Sequence, residues 1–130
     1  MKNNTHTVSY ALEEMLSNRP HDVQRIALYF EKEYEQFVNG EHLDFMGFVQ
    51  HIDVLKKHVS RLDLSIINIV SEENIVFSHH IINATKHDGG ESKFEVFAKF
   101  TLSNDKIIRC EEVTRMISGS QEDSDLGSRR

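Results

Sequence analysis

The 130-residue chain reads as one α+β domain, with N-terminal helices packed against an antiparallel β-sheet. Three observations carry this reading. Apolar residues recur at helical spacing through the first half, from Val8 to Val59. After Asp63 the pattern changes to short β-branched runs. Residues 74–116 then divide into three strands, 74–84, 93–102 and 106–116, joined by His87-Asp88-Gly89-Gly90 and Ser103-Asn104-Asp105.

Val8, Leu12, Met15 and Leu16 predict a first helix over 7–17, and Ser17-Asn18-Arg19-Pro20 breaks it, because proline cannot continue a helix. Val23, Ile26, Ala27, Phe30, Tyr34 and Phe37 make one apolar stripe, which predicts a long second helix over 21–38 closed by Asn39-Gly40. Asp44 is the expected N-cap of a third helix, 44–59, whose stripe is Phe45, Phe48, Val49, Ile52, Leu55 and Val59. Lys56, Lys57 and His58 complement the dipole at its C-terminal end. Residues 64–70 are β-branched and too short for a helix, so they form a strand, and Ser71-Glu72-Glu73-Asn74 turns into the next. The polar segment 118–130, with Leu126 as its one large apolar residue, is expected to be mobile or ordered only against a partner. The division expected is a helix and linker over 1–20, a domain over 21–117 and this tail.

Composition narrows the function classes. A net charge of −6 argues against nucleic acid and anionic membranes as partners. The one cysteine, Cys110, excludes an internal disulfide framework and suits a reducing compartment. No apolar run approaches the roughly 20 residues of a membrane helix, and the first residues lack a secretory pattern, so a cytoplasmic location is expected. There is neither a Gly-rich phosphate loop nor a dinucleotide fingerprint, and no cofactor is expected. The eight histidines lack metal-site spacing: His51 and His58 lie about 10 Å apart along a helix, and the adjacent His79 and His80 point to opposite faces.

Strand phase selects the candidate chemistry. Alternate residues share a face, so Phe94, Val96, Ala98, Phe100 and Leu102 form the inner row of their strand. On the last strand, Ile108, Cys110, Glu112, Thr114 and Met116 are the more apolar set, which points Glu112 inward unless a β-bulge intervenes. One of His79 and His80 also faces inward, but both rows of their strand are apolar and the pattern does not choose between them.

The stretch Phe100-x-Leu102-Ser103-Asn104-Asp105-Lys106-Ile107-Ile108, after two helices and followed by Cys110-Glu111-Glu112, resembles the SnoaL-like branch of the nuclear transport factor 2-like superfamily. Asn104-Asp105-Lys106-Ile107 stands where that branch often has an aspartate-glycine-lysine-isoleucine turn, with Asp105 in place of glycine. Ser71-Glu72-Glu73-Asn74-Ile75-Val76 is similar to its glutamate-glycine-aspartate-x-valine hairpin, and residues 119–129 resemble the tail of a bacterial subset. The resemblance covers residues 22–129. It implies a cone-like half-barrel, with the sheet wrapped around the helices and a pocket at one end. Members include isomerases, cyclases, dehydratases and epoxide hydrolases, alongside binding modules, and dimers through the outer sheet face are common.

A carboxylate in an apolar pocket loses hydration and becomes a better base near neutral pH. Glu112 fits that role, with His80 or His79 as a second acid, base or donor. Tyr34, His51, Tyr29 and Phe48 are the expected ligand contacts, and the ligand would be a small apolar or carbonyl-containing molecule. Each has a structural alternative: Glu112 paired with Arg109 or Arg115, a hydrogen-bonded core histidine, aromatic residues that only pack. Two readings follow: a proton-transfer enzyme of isomerase, cyclase or hydrolase type, or a non-catalytic binding or dimeric interaction module. A pocket filled by aromatic rings, or Glu112 locked to an arginine, would exclude the first.

Overall fold

The structure is a computed structural model and describes residues 3–123. Helix α1 spans Asn4–Leu16, and Asn3 caps it by accepting from the Thr5 amide at 3.0 Å. A single-turn helix α2, Val23–Ile26, leads into strand β1, Phe30–Val38, and the short β2, Glu41–Asp44. Helix α3 covers Phe45–His58, with the Asp44 carboxylate accepting from Gly47 N at 2.8 Å. Four long strands follow: β3 (Val59–Glu72), β4 (Ile75–Lys86), β5 (Glu91–Ser103) and β6 (Lys106–Ser118). A 3-10 turn, Gln121–Asp123, ends the described chain.

The six strands form one curved sheet in the order β2-β1-β6-β5-β4-β3. Every neighbouring pair is antiparallel except β1 and β6, which run parallel. The fold is α+β with the cone-like form, though the sheet is mixed rather than wholly antiparallel.

The expected helix over 21–38 is replaced by α2 and β1. Its stripe combined two unrelated elements, and Val23 and Leu28 are exposed. From Tyr34 onward the buried residues alternate as Tyr34, Gln36 and Val38, the period of a strand. Asn39 and Gly40 both have positive φ, 50° and 84°, which a two-residue hairpin turn requires at both central positions. Asn-Gly is therefore the tip of the β1–β2 hairpin, not a helix cap. The Asn39 side chain also bridges to β6: Nδ2 donates to Thr114 O at 3.0 Å and Oδ1 accepts from Thr114 N at 2.9 Å.

With no long central helix, α1 and α3 cover the concave face. Val8, Leu12 and Met15 from α1 and Phe48, Ile52 and Leu55 from α3 share one core with Phe94, Val96 and Phe100 of β5. Phe30, Tyr34 and Phe48 form an aromatic cluster with ring centroids 4.7 to 4.9 Å apart. Glu14 of α1 is buried, and Arg19 at 3.0 Å and Arg25 at 2.8 Å neutralise it, so this carboxylate is structural.

The β6 register contains the bulge on which Glu112 depends. Thr101 pairs with Arg109 and Leu102 with Ile107, leaving Ile108 as an extra residue. Ile107, not Ile108, therefore joins the buried row, and the inward order is Ile107, Cys110, Glu112, Thr114. Past the end of β6, the expected loose segment is fixed as far as Asp123. Ser92 Oγ donates to Asp123 Oδ2 at 2.7 Å, and Lys86 pairs with the same oxygen at 3.2 Å. Gly119 turns there with φ +132° against Ser92. Leu126 lies outside the described residues. Among the described residues, no helix is long and apolar enough to cross a membrane.

Candidate functional site

The concave face holds a cavity of about 60 Å³. That exceeds what a single water needs. Its wall is mostly apolar, from Leu12 and Met15 of α1, Ile52 and Leu55 of α3, and Phe94 and Phe100 of β5. Set into this wall are Tyr34, Gln36, His51, His80, Cys110, Glu112 and Thr114.

Pairing across the sheet explains how they converge. Ser78, Ala98 and Glu112 face one another on β4, β5 and β6, and His80, Val96 and Thr114 make the next row. Ala98 is the small residue between the serine and the glutamate. Two strand spacings, roughly 10 Å, therefore separate the β4 and β6 backbones with little side chain between, and His80 from β4 and Glu112 from β6 both line the cavity. On the other flank, parallel pairing sets Gln36 beside Cys110 and Val38 beside Glu112. The Asn39 amide donates to Glu112 O at 2.9 Å, so the hairpin tip holds the backbone of the glutamate on one side and of Thr114 on the other.

Glu112 forms no ion pair among the described residues. One carboxyl oxygen accepts from Thr114 Oγ1 at 3.3 Å and the other from the Cys110 thiol at 3.7 Å. Burial raises its pKa from 4.5 to about 7, against the smaller lowering effect of those two hydrogen bonds. The arginines of β6 are engaged elsewhere, Arg109 with Glu111 at 3.2 Å and Arg115 with Glu95 at 2.7 Å. Neither of the two conditions that would exclude an enzyme is met: aromatic rings do not fill the cavity, and Glu112 is not locked to an arginine.

His80 is the inward histidine, 1 % exposed, with Nδ1 3.1 Å from Ser78 Oγ. Burial, then the neighbouring His79, lower its pKa from 6.5 to about 4, so it is neutral at physiological pH. His79 is on the outer face. It stacks on Phe97 at 4.2 Å and meets Glu95 at 2.8 Å, so its expected pocket role is not supported by its position. Tyr34 is buried and its hydroxyl donates to Gln36 Oε1 at 2.6 Å. Burial, reinforced by the nearby Cys110 and Glu112, raises its pKa well above the ordinary value and keeps it a neutral phenol. Burial and Glu112 likewise push the Cys110 thiol well up, which suits a core residue rather than a nucleophile.

His51 and Phe48 of α3 reach the cavity wall. Tyr29 does not. It precedes β1, its carbonyl accepts from Ile107 N at 2.8 Å, and its surroundings are Leu28 and Asp105 in a separate surface depression. Gln36, Ser78 and Thr114 were not singled out from the sequence. Gln36 was hidden by its assignment to a helix, whereas the spacing of Ser78 two residues before His80 on a strand was readable. No group of three His, Cys, Asp or Glu among the described residues is placed to hold a metal ion.

No family profile matches the chain. It is 30% identical over 107 residues, 82% of each chain, to Uncharacterized protein C11D3.04c of Schizosaccharomyces pombe. Its fold is similar to that of a protein of Jannaschia sp. CCS1 assigned as a SnoaL-like polyketide cyclase, with a TM-score of 0.70 and 16% identity over 85% of this chain and 84% of that one. It is equally similar to an LEH-like epoxide hydrolase of M. tuberculosis, with a TM-score of 0.70 and 12% identity over 85% and 81% of the two chains.

Proposed function

Since this chain belongs to the family of the S. pombe protein and has the SnoaL-like fold of the nuclear transport factor 2-like superfamily, we propose that it binds a compact, uncharged, carbonyl-bearing molecule and moves a proton on it at Glu112. One observation carries the reading: a carboxyl with a pKa near 7 and no cationic partner among the described residues, set in an apolar cavity. Such a group is a base of useful strength in its ionised form and an acid in its protonated form within the same pH range.

In the proposed step, the Glu112 carboxylate takes a proton from the carbon next to the carbonyl. The C–H bond breaks and its electron pair delocalises into the enolate, placing charge on the carbonyl oxygen. Neutral donors on the cavity wall stabilise that oxygen without the desolvation cost of a buried cation. Where the enolate is conjugated with a C=C bond, the protonated Glu112 returns the proton to the far carbon of that system and the double bond shifts, which completes an isomerisation. Alternatively the enolate carbon forms a bond to a second carbonyl carbon, whose π pair becomes an alkoxide that takes the proton back from Glu112, which completes a cyclisation. The names of the Jannaschia and mycobacterial proteins include polyketide cyclase and epoxide hydrolase chemistry, which supports a reading with an oxygen-bearing ligand.

The test is a panel of cyclic ketones, 1,3-dicarbonyls and epoxides, screened by thermal shift and then by turnover on wild type and Glu112→Gln. A compound that stabilises both proteins and is converted only by wild type supports the reading. Conversion that survives Glu112→Gln, or a panel without a single ligand, sinks it.

The outer sheet face supports a further part of the proposal, a homodimer. Val70, Phe77, Phe97 and Val113 are each more than half exposed on strands β3 to β6, with Lys99 and Glu111 interleaved. Sedimentation of wild type against Phe97→Glu checks it: a dimer converted to a monomer supports the interface, and a wild-type monomer overturns it.

A further inference from the structure

We propose that Ser78 is a positioning residue: its hydroxyl donates to His80 Nδ1, fixes the imidazole as the Nε2–H tautomer, and thereby commits this part of the cavity to an acceptor oxygen on the ligand.

The donors and acceptors of this buried pair fix the tautomer. Ser78 and His80 lie two residues apart on β4, on the same face, and are 5 % and 1 % exposed. Their only side-chain hydrogen bond among the described residues is the one they make to each other, at 3.1 Å. A hydroxyl can donate or accept, and a neutral imidazole has one nitrogen of each kind. If Nδ1 carried the proton, Ser78 would accept and its own buried proton would have no acceptor. If Ser78 donates, that proton is satisfied, Nδ1 accepts, and the imidazole proton must sit on Nε2. Nε2 has no protein partner among the described residues, and the ring lines the cavity. The orientation with every buried proton placed therefore presents an N–H to the ligand space.

This fixes the ligand chemistry on that side. A neutral N–H donor accepts company from a carbonyl or epoxide oxygen and repels a second N–H or O–H that can only donate. Glu112 lies one row along and two strands away, so the ligand would place an oxygen toward β4 and its acidic C–H toward β6. The ligand half of the inference rests on the proton-transfer reading; the tautomer does not.

Nitrogen-15 long-range spectra of the histidine rings at neutral pH read the tautomer directly, with His80→Gln assigning the signal among the eight histidines. The expected result is a protonated Nε2 and a pyridine-like, accepting Nδ1 in wild type. Ser78→Ala is expected to give a mixture of tautomers, and Ser78→Thr, which keeps the hydroxyl, to restore the single form. A protonated Nδ1 in wild type overturns the assignment, and so does an unchanged tautomer in Ser78→Ala. The wild-type spectrum decides even where a variant fails to fold. Cyclohexanone, an acceptor with no donor, is the ligand probe: at tens of millimolar it should move the wild-type Nε2–H resonance, and no movement overturns the acceptor assignment. Turnover by wild type against Glu112→Gln fails or succeeds independently of these spectra, so the two proposals fall separately.

Discussion

Glu112→Gln should make the protein more stable above neutral pH than wild type, relative to the same comparison in acid. Glu112 titrates at about 7 in the folded state against 4.5 as an ordinary glutamate. Between those values the folded state holds a proton that the unfolded state has released. Stability from this group is thus fully present below 4.5 and is lost as pH rises to 7. The sign follows from linkage: where the native state binds more protons, stability falls with pH. The loss is about 1 kcal/mol at pH 5, about 2 at pH 6 and about 3 at pH 7, levelling just above that. Glutamine keeps the shape and cannot ionise, so the difference between the two proteins isolates this one group, and other titrations cancel. Urea unfolding of both proteins at pH 5, 6, 7 and 8 measures it. The reasoning predicts that the stability of the variant relative to wild type grows by about 2 kcal/mol between pH 5 and pH 7. A difference that stays flat over that range, or shrinks, would refute the claim that the carboxyl is desolvated and unpaired.

His80 should show the mirror-image behaviour: its folded-state pKa of about 4 lies below 6.5, so its contribution is present above 6.5 and is lost as pH falls toward 4. His80→Gln should remove up to about 3 kcal/mol of acid sensitivity, visible in the same urea titrations. Asn39→Ala deletes both side-chain hydrogen bonds to the Thr114 backbone and should cost about 1–3 kcal/mol, with amide shifts in Glu112 and Thr114 as the local readout. Gly119→Ala would set a Cβ 2.5 Å from Ser92 Oγ and 2.9 Å from its Cα, at φ +132°. Hydrogen exchange at residues 120–123 should rise in that variant while β5 and β6 stay protected. Ala98→Leu crowds the buried row between Ser78 and Glu112 and should cost about 1–3 kcal/mol in overpacking, read by the same urea unfolding.

Much of this architecture is legible in local pattern. Helices α1 and α3 announce themselves by apolar spacing and by the Asp44 cap, and β5 alternates without interruption from Phe94 to Leu102. Strand β1 is not legible for a physical reason. Its partner β6 lies some seventy residues away and runs parallel to it, so nothing local marks the pairing, and apolar residues at 23, 26, 30, 34 and 37 coincide with a helical period. The one contrary local sign was Asn39-Gly40, which serves helix ends and hairpin tips alike. Glu112 was readable because the alternation from Cys110 onward is regular. The choice between His79 and His80 was not, because the outer face carries Phe77 and Phe97 and is nearly as apolar as the inner one. Gln36 becomes visible only once β1 is recognised as a strand, whereas Ser78 shares a face with His80 by its two-residue spacing alone.

Ile108 is the single residue that sets the parity of the distal half of β6. Were Ile108 paired as an ordinary strand residue instead of bulged, alternation running on from the buried Ile107 would carry Arg109, Glu111 and Val113 to the concave side and Glu112 to solvent. The hairpin that anchors Ile107 would be untouched, while the cavity would inherit an arginine and a different carboxylate. Deleting Ile108, by contrast, would restore plain alternation from Ile107 through Arg109 to Cys110 and leave Cys110, Glu112 and Thr114 facing inward. The acidity of this site thus rests on how one extra residue is accommodated between two adjacent strands, where no comparison of residue types alone would find it.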